Sequence, residues 1–218
     1  MTHRVRRHIA VEGCIGVGKT TWAQALANAR QACLVLEAFD KNPFLPAFYA
    51  DPVGNALETE LQFLLMHYHQ LKQFSQRADE ALETITDFTL FKDTIFADTN
   101  LSDPGDKGMF DVLYNFLSAK LRAPDLVIYL QGSDNLILER VCQRSRSMEM
   151  QIDTAYFVRL NRAYEKFFSR FNGPVRVINA DLLDCIKRPE ALQEVLQVID
   201  AALVLHPATD VPPSRRER

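Results

Sequence analysis

One short segment has the residues needed to bind a nucleoside triphosphate. Residues 13–20 read GCIGVGKT and match the pattern G-x-x-x-x-G-K-[ST], in which glycines let backbone N–H groups turn toward phosphate oxygens. Lys19 is expected to reach the β- and γ-phosphates, and the Thr20 hydroxyl to ligate Mg²⁺. The segment follows a predicted strand and opens a predicted helix, as a phosphate-binding loop requires. The expected donor-binding residues here are Gly13, Gly16, Gly18, Lys19, Thr20 and Thr21.

Two acidic residues lie at or directly after the ends of predicted strands and could take part in phosphoryl transfer to an acceptor. Glu37 ends the second predicted strand, and in open α/β sheets the strand carboxyl ends border the ligand crevice. A carboxylate there could accept the proton of a hydroxyl group, although an isolated strand-end Glu is more often simply solvated. Asp87 follows the third predicted strand, where phosphoryl transfer needs a carboxylate to hold Mg²⁺ directly or through water.

Three arginines cluster farther along the chain. Arg140, Arg144 and Arg146 span the end of a predicted helix and the following loop. Three surface arginines can be spaced in this way by chance, without a shared role. In a chain that also has a phosphate-binding loop, they predict a lid at about residues 140–152 that closes over the triphosphate. The planar guanidinium group suits this role because it donates several hydrogen bonds to phosphate oxygens.

Short apolar runs alternate with helical patterns along the chain, which is typical of a parallel sheet covered by helices on both faces. The pattern predicts a three-layer α/β/α domain. Its predicted strands lie at 8–12, 33–37, 83–86, 125–131 and 175–180. Helices are expected after the phosphate loop, around 57–68, and at about 89–98, 108–121, 133–143, 153–170 and 189–204.

Length and composition predict one domain over residues 1–205 and a disordered tail over 206–218. The net charge of −3 gives no overall reason to bind nucleic acid or an anionic membrane, and we expect neither partner. The four cysteines lack CxxC spacing, so we expect reduced thiols and a cytoplasmic protein. Cys14 could be a reactive thiol near a helix N-terminus, but a packing role in a tight loop is favoured.

Four blocks in order make the chain resemble the deoxynucleoside kinase family, specifically its bacterial deoxyadenosine and deoxyguanosine kinase branch. The blocks are EAFDKNPFLPAFYADP at 37–52, ELQFLLMHYHQL at 60–71, TDFTLFKDTIFA at 86–97 and RVCQRSRSMEMQID at 140–153. The resemblance covers most of residues 8–205. It implies a P-loop kinase fold with a five-stranded parallel sheet, a homodimer, and transfer of the γ-phosphate of ATP or GTP, with Mg²⁺, to the 5′-hydroxyl of a deoxynucleoside, a purine more than a pyrimidine.

The resemblance also implies roles for individual residues. Glu37 would be the general base at the 5′-hydroxyl, and Tyr49 and Glu149 would hold the sugar 3′-hydroxyl. Lys19 and Arg144 would act directly on the migrating phosphoryl group. The loop at about 179–183 would pack on the donor base.

Several positions depart from the family pattern. Glu60 stands where a base-reading Gln is common, so it would favour a base edge rich in N–H donors or would act protonated. His67 stands where an Arg is common, near Asp93, which supports base recognition in the family; the pair is hypothesised to be pH-sensitive. Phe88 replaces an Arg that follows the acidic residue in many members. Lys92 could partly substitute for that Arg.

Two alternatives remain open from the sequence. The first is a nucleoside monophosphate kinase, although the carboxylate-rich acceptor segment would repel a second phosphate. The second is a regulatory subunit that binds nucleotide but has lost turnover together with the Arg that Phe88 replaces.

Overall fold

The computed structural model describes residues 7–77, 83–144 and 152–205 and is built around a five-stranded parallel sheet. The strand order is β2-β3-β1-β4-β5 and every neighbouring pair is parallel. The strands are β1 (Arg7–Glu12), β2 (Cys33–Val35), β3 (Glu83–Thr86), β4 (Leu126–Gln131) and β5 (Val175–Asn179). All five predicted strands are confirmed, except that β2 ends two residues before Glu37, which therefore lies in the connection after the strand.

The predicted helices occur in the expected order with shifted ends, and the short helix at Leu45–Ala50 was not predicted. The helices are α1 (Lys19–Arg30), α2 (Leu45–Ala50), α3 (Ala56–Arg77), α4 (Lys92–Asn100), α5 (Pro104–Ser118), α6 (Asp134–Arg144), α7 (Thr154–Phe168) and α8 (Pro189–Leu205). The largest shift at a helix start is that of α5, predicted from 108, because Asp103 caps it by accepting hydrogen bonds from two backbone N–H groups and Pro104 occupies its first turn. Within the described ranges, no helix is both long and apolar enough to cross a membrane.

Alternate residues of the strands face two different helical layers. Ile9 and Val11 are fully buried against one layer, which includes Trp22 of α1 and the apolar face of α8. Val127 and Tyr129 point to the opposite side, into the cluster formed with α4, α6 and α7. Each such buried side chain stabilises the fold by about 2 kcal/mol. The predicted three-layer α/β/α architecture is therefore confirmed.

The strand order determines where the site forms. Because all strands are parallel, their carboxyl ends meet at one edge, and β2, β3 and β1 are direct neighbours. The loops that follow them, at 36–44, 87–91 and 13–18, consequently lie side by side. These three loops hold the phosphate pattern and both acidic residues that the sequence singled out.

Candidate functional site

The loop after β1 has the backbone geometry of a phosphate-binding turn. Gly16 and Gly18 have φ angles of 86° and 107°, a left-handed region that favours glycine. Helix α1 begins at Lys19, so its positive N-terminal end opens on the loop. The Lys19 ammonium group donates to the carbonyl oxygens of Gly13 and Cys14, at 2.8 and 3.2 Å. The loop thus presents N–H groups and a cation to one small volume.

Asp87 connects this loop to the acceptor segment. Its Oδ2 accepts a 2.6 Å hydrogen bond from the Thr20 hydroxyl, and its Oδ1 accepts one of 2.7 Å from the Glu37 backbone N–H. A hydroxyl and a carboxylate oxygen in contact are the kind of hard ligands that Mg²⁺ uses together with substrate phosphates and water. Thr20 and Asp87 therefore fit a magnesium site, as the sequence predicted.

Glu37 is held by two cations rather than standing alone. The Lys92 ammonium group donates to Oε2 at 2.7 Å, and His67 Nε2 lies 3.1 Å from Oε1. The other ring nitrogen of His67 lies 2.7 Å from Asp93 Oδ1. Glu37 is therefore not the solvated strand-end charge that the sequence left as an alternative. It belongs to a cluster of alternating charges, which we call the acceptor cluster and define as Glu37, His67, Lys92 and Asp93.

Electrostatics in the acceptor cluster favour a charged histidine. Burial alone would lower the pKa of His67, but the Asp93 and Glu37 carboxylates raise it to about 9. Two carboxylates flank the ring, so both nitrogens must donate, which only the imidazolium form can do. Burial would raise the pKa of Glu37, but Lys92 and His67 hold it well below its usual range. The side chain of His67 is 1% exposed, so this histidine is buried inside the acceptor cluster and is not a surface residue of its helix.

A second buried group lies beside the acceptor cluster. Glu60 Oε1 accepts a 2.7 Å hydrogen bond from the Asn100 amide, and burial raises the pKa of Glu60 to about 8. At neutral pH this side chain is therefore a carboxylic acid, with one donor and one acceptor as in a Gln amide. Among the described residues, Glu60 Oε2 and Asp93 Oδ2 are buried and have no hydrogen-bond partner. These two atoms therefore have hydrogen-bonding capacity that no described group of the protein uses.

Phe88 cannot supply the positive charge of the Arg that it replaces, but the neighbouring Lys92 can. The side chain is fully buried, and its ring centroid lies 5.0 Å from that of His67. Lys92 begins α4 one turn later and reaches Glu37 instead. A cation therefore lies at the acceptor carboxylate even though the family Arg is missing, which is compatible with the substitution hypothesised for Lys92.

The arginines of α6 approach the phosphate loop from the other side. Arg140 donates to the Val17 carbonyl at 2.6 Å and to Asp184 Oδ2 at 2.7 Å. Arg144 lies at the end of the same helix and borders the cavity. The loop segment 184–187 borders it as well, just after the residues expected near the donor base. Arg146 and Glu149 fall in 145–151, outside the described residues.

A single cavity of about 600 Å³ gathers most of the predicted site. Among the predicted residues, those that line it are Gly16, Gly18, Lys19, Thr20, Thr21, Glu37, Tyr49, Glu60, His67, Asp87, Asp93, Arg140 and Arg144. Gly13 shapes the phosphate loop without lining the cavity. The cavity thus joins the expected donor and acceptor sides in one space.

Asn100 and Tyr156 are two polar residues of this cavity that the sequence did not single out. Asn100 lies seven residues after Asp93, about two helical turns, and His67 lies seven residues after Glu60. That periodicity could have identified Asn100. Tyr156 also lines the cavity, 3.4 Å from the Asn100 amide, and no sequence signal pointed to it.

Cys14 has the packing role that the sequence favoured. It is buried in the cluster formed with α6 and α7. Burial raises the pKa of its thiol to about 12, which disfavours the reactive thiolate.

Comparisons with known proteins agree on one family. Residues 9–204 match the family model described as deoxynucleoside kinase. A deoxyadenosine kinase of Lactobacillus acidophilus is 32% identical over 89% of this chain and 95% of its own length, and a deoxyguanosine kinase of Bacillus subtilis is 33% identical over 72% and 76%. A solved structure of the deoxyadenosine kinase from M. mycoides, with the products dCMP and dCDP, matches with a TM-score of 0.79 at 26% identity, over 89% of this chain and 99% of that one.

Proposed function

Because the chain belongs to the deoxynucleoside kinase family, we propose that it transfers the γ-phosphate of ATP or GTP to the 5′-hydroxyl of a deoxynucleoside, preferring purine to pyrimidine bases. The observation that supports this proposal most is the shared cavity, which is lined by the phosphate loop and by the Glu37 carboxylate. The purine preference is supported by the relatives from L. acidophilus and B. subtilis, a deoxyadenosine and a deoxyguanosine kinase.

In the proposed reaction Glu37 orients the 5′-hydroxyl and accepts its proton. A carboxylate with a depressed pKa is a weak base, but the transition state of phosphoryl transfer is largely dissociative, so the proton need leave only as the new bond forms. Positioning is then the main task of Glu37, and its two cationic partners fix its direction. Tyr49, with Glu149, would hold the 3′-hydroxyl.

The donor side would supply charge stabilisation. Lys19 and Arg144 would contact the migrating phosphoryl group, with Arg140 and Arg146 closing over the triphosphate. Thr20 and Asp87 would hold Mg²⁺, which when bound neutralises charge on the phosphate oxygens.

Glu60 and Asp93 would read the base. As a neutral acid, Glu60 offers its Oε2–H as a donor, and Asp93 Oδ2 accepts. A purine edge with an N–H group next to an acceptor matches this pair. This supports the hypothesis that Glu60 acts protonated in the place of the commoner Gln.

The assembly proposed is a homodimer, and an exposed apolar face supports it. Helix α3 has an apolar stripe at 57–68, of which Leu64 and Tyr68 are buried and Leu61 is half-buried, whereas Leu65 is 37% exposed. On α5, by contrast, Met109, Val112 and Phe116 share one face and are 55%, 72% and 60% exposed. Phe116→Glu should convert the dimer to a monomer in light scattering, and a native chain that is already monomeric would contradict the proposal.

We also propose a cytoplasmic location. None of the four cysteines forms a disulfide, as is usual in a reducing compartment.

The function is tested by incubating the purified full-length chain with Mg²⁺, ATP or GTP and each of the four deoxynucleosides in turn. A deoxynucleoside 5′-monophosphate product is expected, most with purines. Glu37→Gln should abolish most turnover while triphosphate binding by calorimetry persists, and Glu58→Gln on the exposed face of α3 is the matched control. Turnover only with deoxynucleoside monophosphates would favour a monophosphate kinase, and binding without product would favour a regulatory subunit.

A further inference from the structure

Glu12 is a buried carboxylate for which the proposed reaction has no role. It is the last residue of β1, directly before the phosphate loop, and it is 0% exposed. A carboxylate is rarely taken out of water unless its oxygens find donors. Its contacts therefore indicate why the position is charged rather than apolar.

The two oxygens of Glu12 bind different loops. Oε1 accepts a 2.6 Å hydrogen bond from the hydroxyl of Thr89, and Oε2 lies 3.3 Å from the Gly13 backbone N–H, which donates to it. The Thr89 oxygen in turn accepts from the Lys92 backbone N–H, at 3.3 Å. One buried side chain thus connects the first residue of the phosphate loop to the loop that follows Asp87 and to the start of α4.

The charges around Glu12 belong to both halves of the cavity. Burial raises the pKa of Glu12, and the ammonium groups of Lys92 and Lys19 offset only part of that rise. Burial lowers the pKa of Lys19, and Lys92 lowers it further, whereas Glu12 raises it. The two lysines repel each other, and a carboxylate near both offsets that repulsion.

We propose that Glu12 is a positioning residue that couples the two sides of the cavity, fixing the Thr89 loop and the start of α4 relative to the phosphate loop. Its effect reaches the reaction through Asp87 and Lys92, which this loop and helix present to the cavity. The Glu12 side chain itself does not line the cavity. The kinetic test of this coupling rests on the proposed function.

Two substitutions remove the connection from opposite ends. Glu12→Gln keeps the size of the side chain but leaves only one acceptor oxygen for two donors, and Thr89→Val removes the donor while keeping the shape. Each should lower kcat on the order of 10- to 100-fold, with KM for both substrates changed less than about threefold, because misplaced groups act mainly in the transition state. The kcat of the double variant should be no lower than that of the more impaired single variant, because both substitutions remove the same connection.

Two further variants separate positioning from general damage. Thr89→Ser keeps the hydroxyl and should retain kcat within about threefold of the native value. Thr94→Val removes another α4 hydroxyl, bonded to the Phe91 carbonyl at 2.7 Å, and should also stay within about threefold. The proposal is overturned if Glu12→Gln and Thr89→Val keep the native kcat. It is also overturned if the fold-loss of kcat in the double variant equals the product of the two single losses, or if Thr89→Ser lowers kcat as much as Thr89→Val does.

A measurement that needs no turnover tests the coupling through Glu12 even if no deoxynucleoside is phosphorylated. Amide hydrogen exchange is followed in the full chain with Mg²⁺ and a non-hydrolysable ATP analogue. In the native chain, analogue binding should slow exchange in both α1 and residues 87–92. In Glu12→Gln and Thr89→Val the slowing should persist in α1 and disappear in 87–92. Equal slowing of both segments in all three proteins would overturn the coupling.

Discussion

The donor and acceptor halves of the cavity are built in opposite ways. The phosphate loop is one contiguous stretch whose backbone N–H groups and helix end do the binding, and its glycines set the geometry locally. The acceptor cluster is built from side chains on the β2–α3 connection, α3 and α4, and its buried charges face one another. Local backbone chemistry makes the first half, and tertiary contacts between charges make the second.

This difference has consequences for mutation. A donor residue that contacts phosphate can be removed with little effect on folding, because it mainly stabilises charge in the transition state. Each acceptor side chain neutralises a neighbour, so removing one leaves a buried charge unpaired. Substitutions on the donor side should therefore lower activity with little loss of stability, whereas substitutions in the acceptor cluster should lower both.

The largest effect is expected at Lys19. Lys19→Met should lower kcat/KM for ATP by about 1,000-fold, equivalent to about 4 kcal/mol, with less than about 1 kcal/mol lost from the unfolding free energy. Steady-state kinetics and urea denaturation measure both. Lys72→Met, on the exposed side of α3, is the control. A stability loss as large as the activity loss would remove the contrast between the halves.

The next largest effect is expected at Lys92. Lys92→Met leaves Glu37 without its 2.7 Å partner and should lower the unfolding free energy by about 3 kcal/mol, along with turnover. Adding Glu37→Gln should recover part of the lost stability, because the unpaired carboxylate is gone. If the double variant is instead less stable by the sum of the two single effects, the two side chains are not coupled as described.

A comparable change in stability is expected from the protonation of His67. Its pKa of about 9 in the fold exceeds the ordinary 6.5, so the folded chain binds more protons than the unfolded chain between these values. The stabilisation is fully present below pH 6.5 and is lost as pH rises through 9, on the order of 3 kcal/mol. Urea denaturation at pH 6, 7.5 and 9 measures it.

His67→Gln should remove about half of the pH dependence measured between pH 6 and 9. Glu60, with a pKa of about 8, keeps a remaining slope of the same sign. An unchanged profile in His67→Gln would mean that the imidazole is neutral, contrary to its position between two carboxylates.

The smallest effect is expected at the base-reading position. Glu60 should lose its proton as pH rises through about 8, so KM for the deoxynucleoside should rise about three- to fourfold between pH 7 and 8.5. Glu60→Gln keeps a donor at all pH values and should show a flat KM. A parallel rise in both proteins would assign the pH dependence to another group.

Much of the fold could be predicted because its signals are local. The strands at 83–86 and 125–131 were found within one residue, since apolar runs between turns need no distant partner to be recognised. The start of α5 was missed by four residues because its cap, Asp103, was not recognised. The site residues came from the phosphate pattern and from the family resemblance, and Asn100 and Tyr156 were in neither.

The sequence by itself determined the phosphate loop and the order of strands and helices, because adjacent residues encode backbone geometry and apolar periodicity. Only the tertiary structure decided the charge state of the acceptor half. The ion pairs of Glu37 and the protonation of Glu60 depend on burial and on neighbours from other elements, which shift each pKa. Those neighbours lie about 30 to 55 residues away in the chain, and the parallel strand order brings them together.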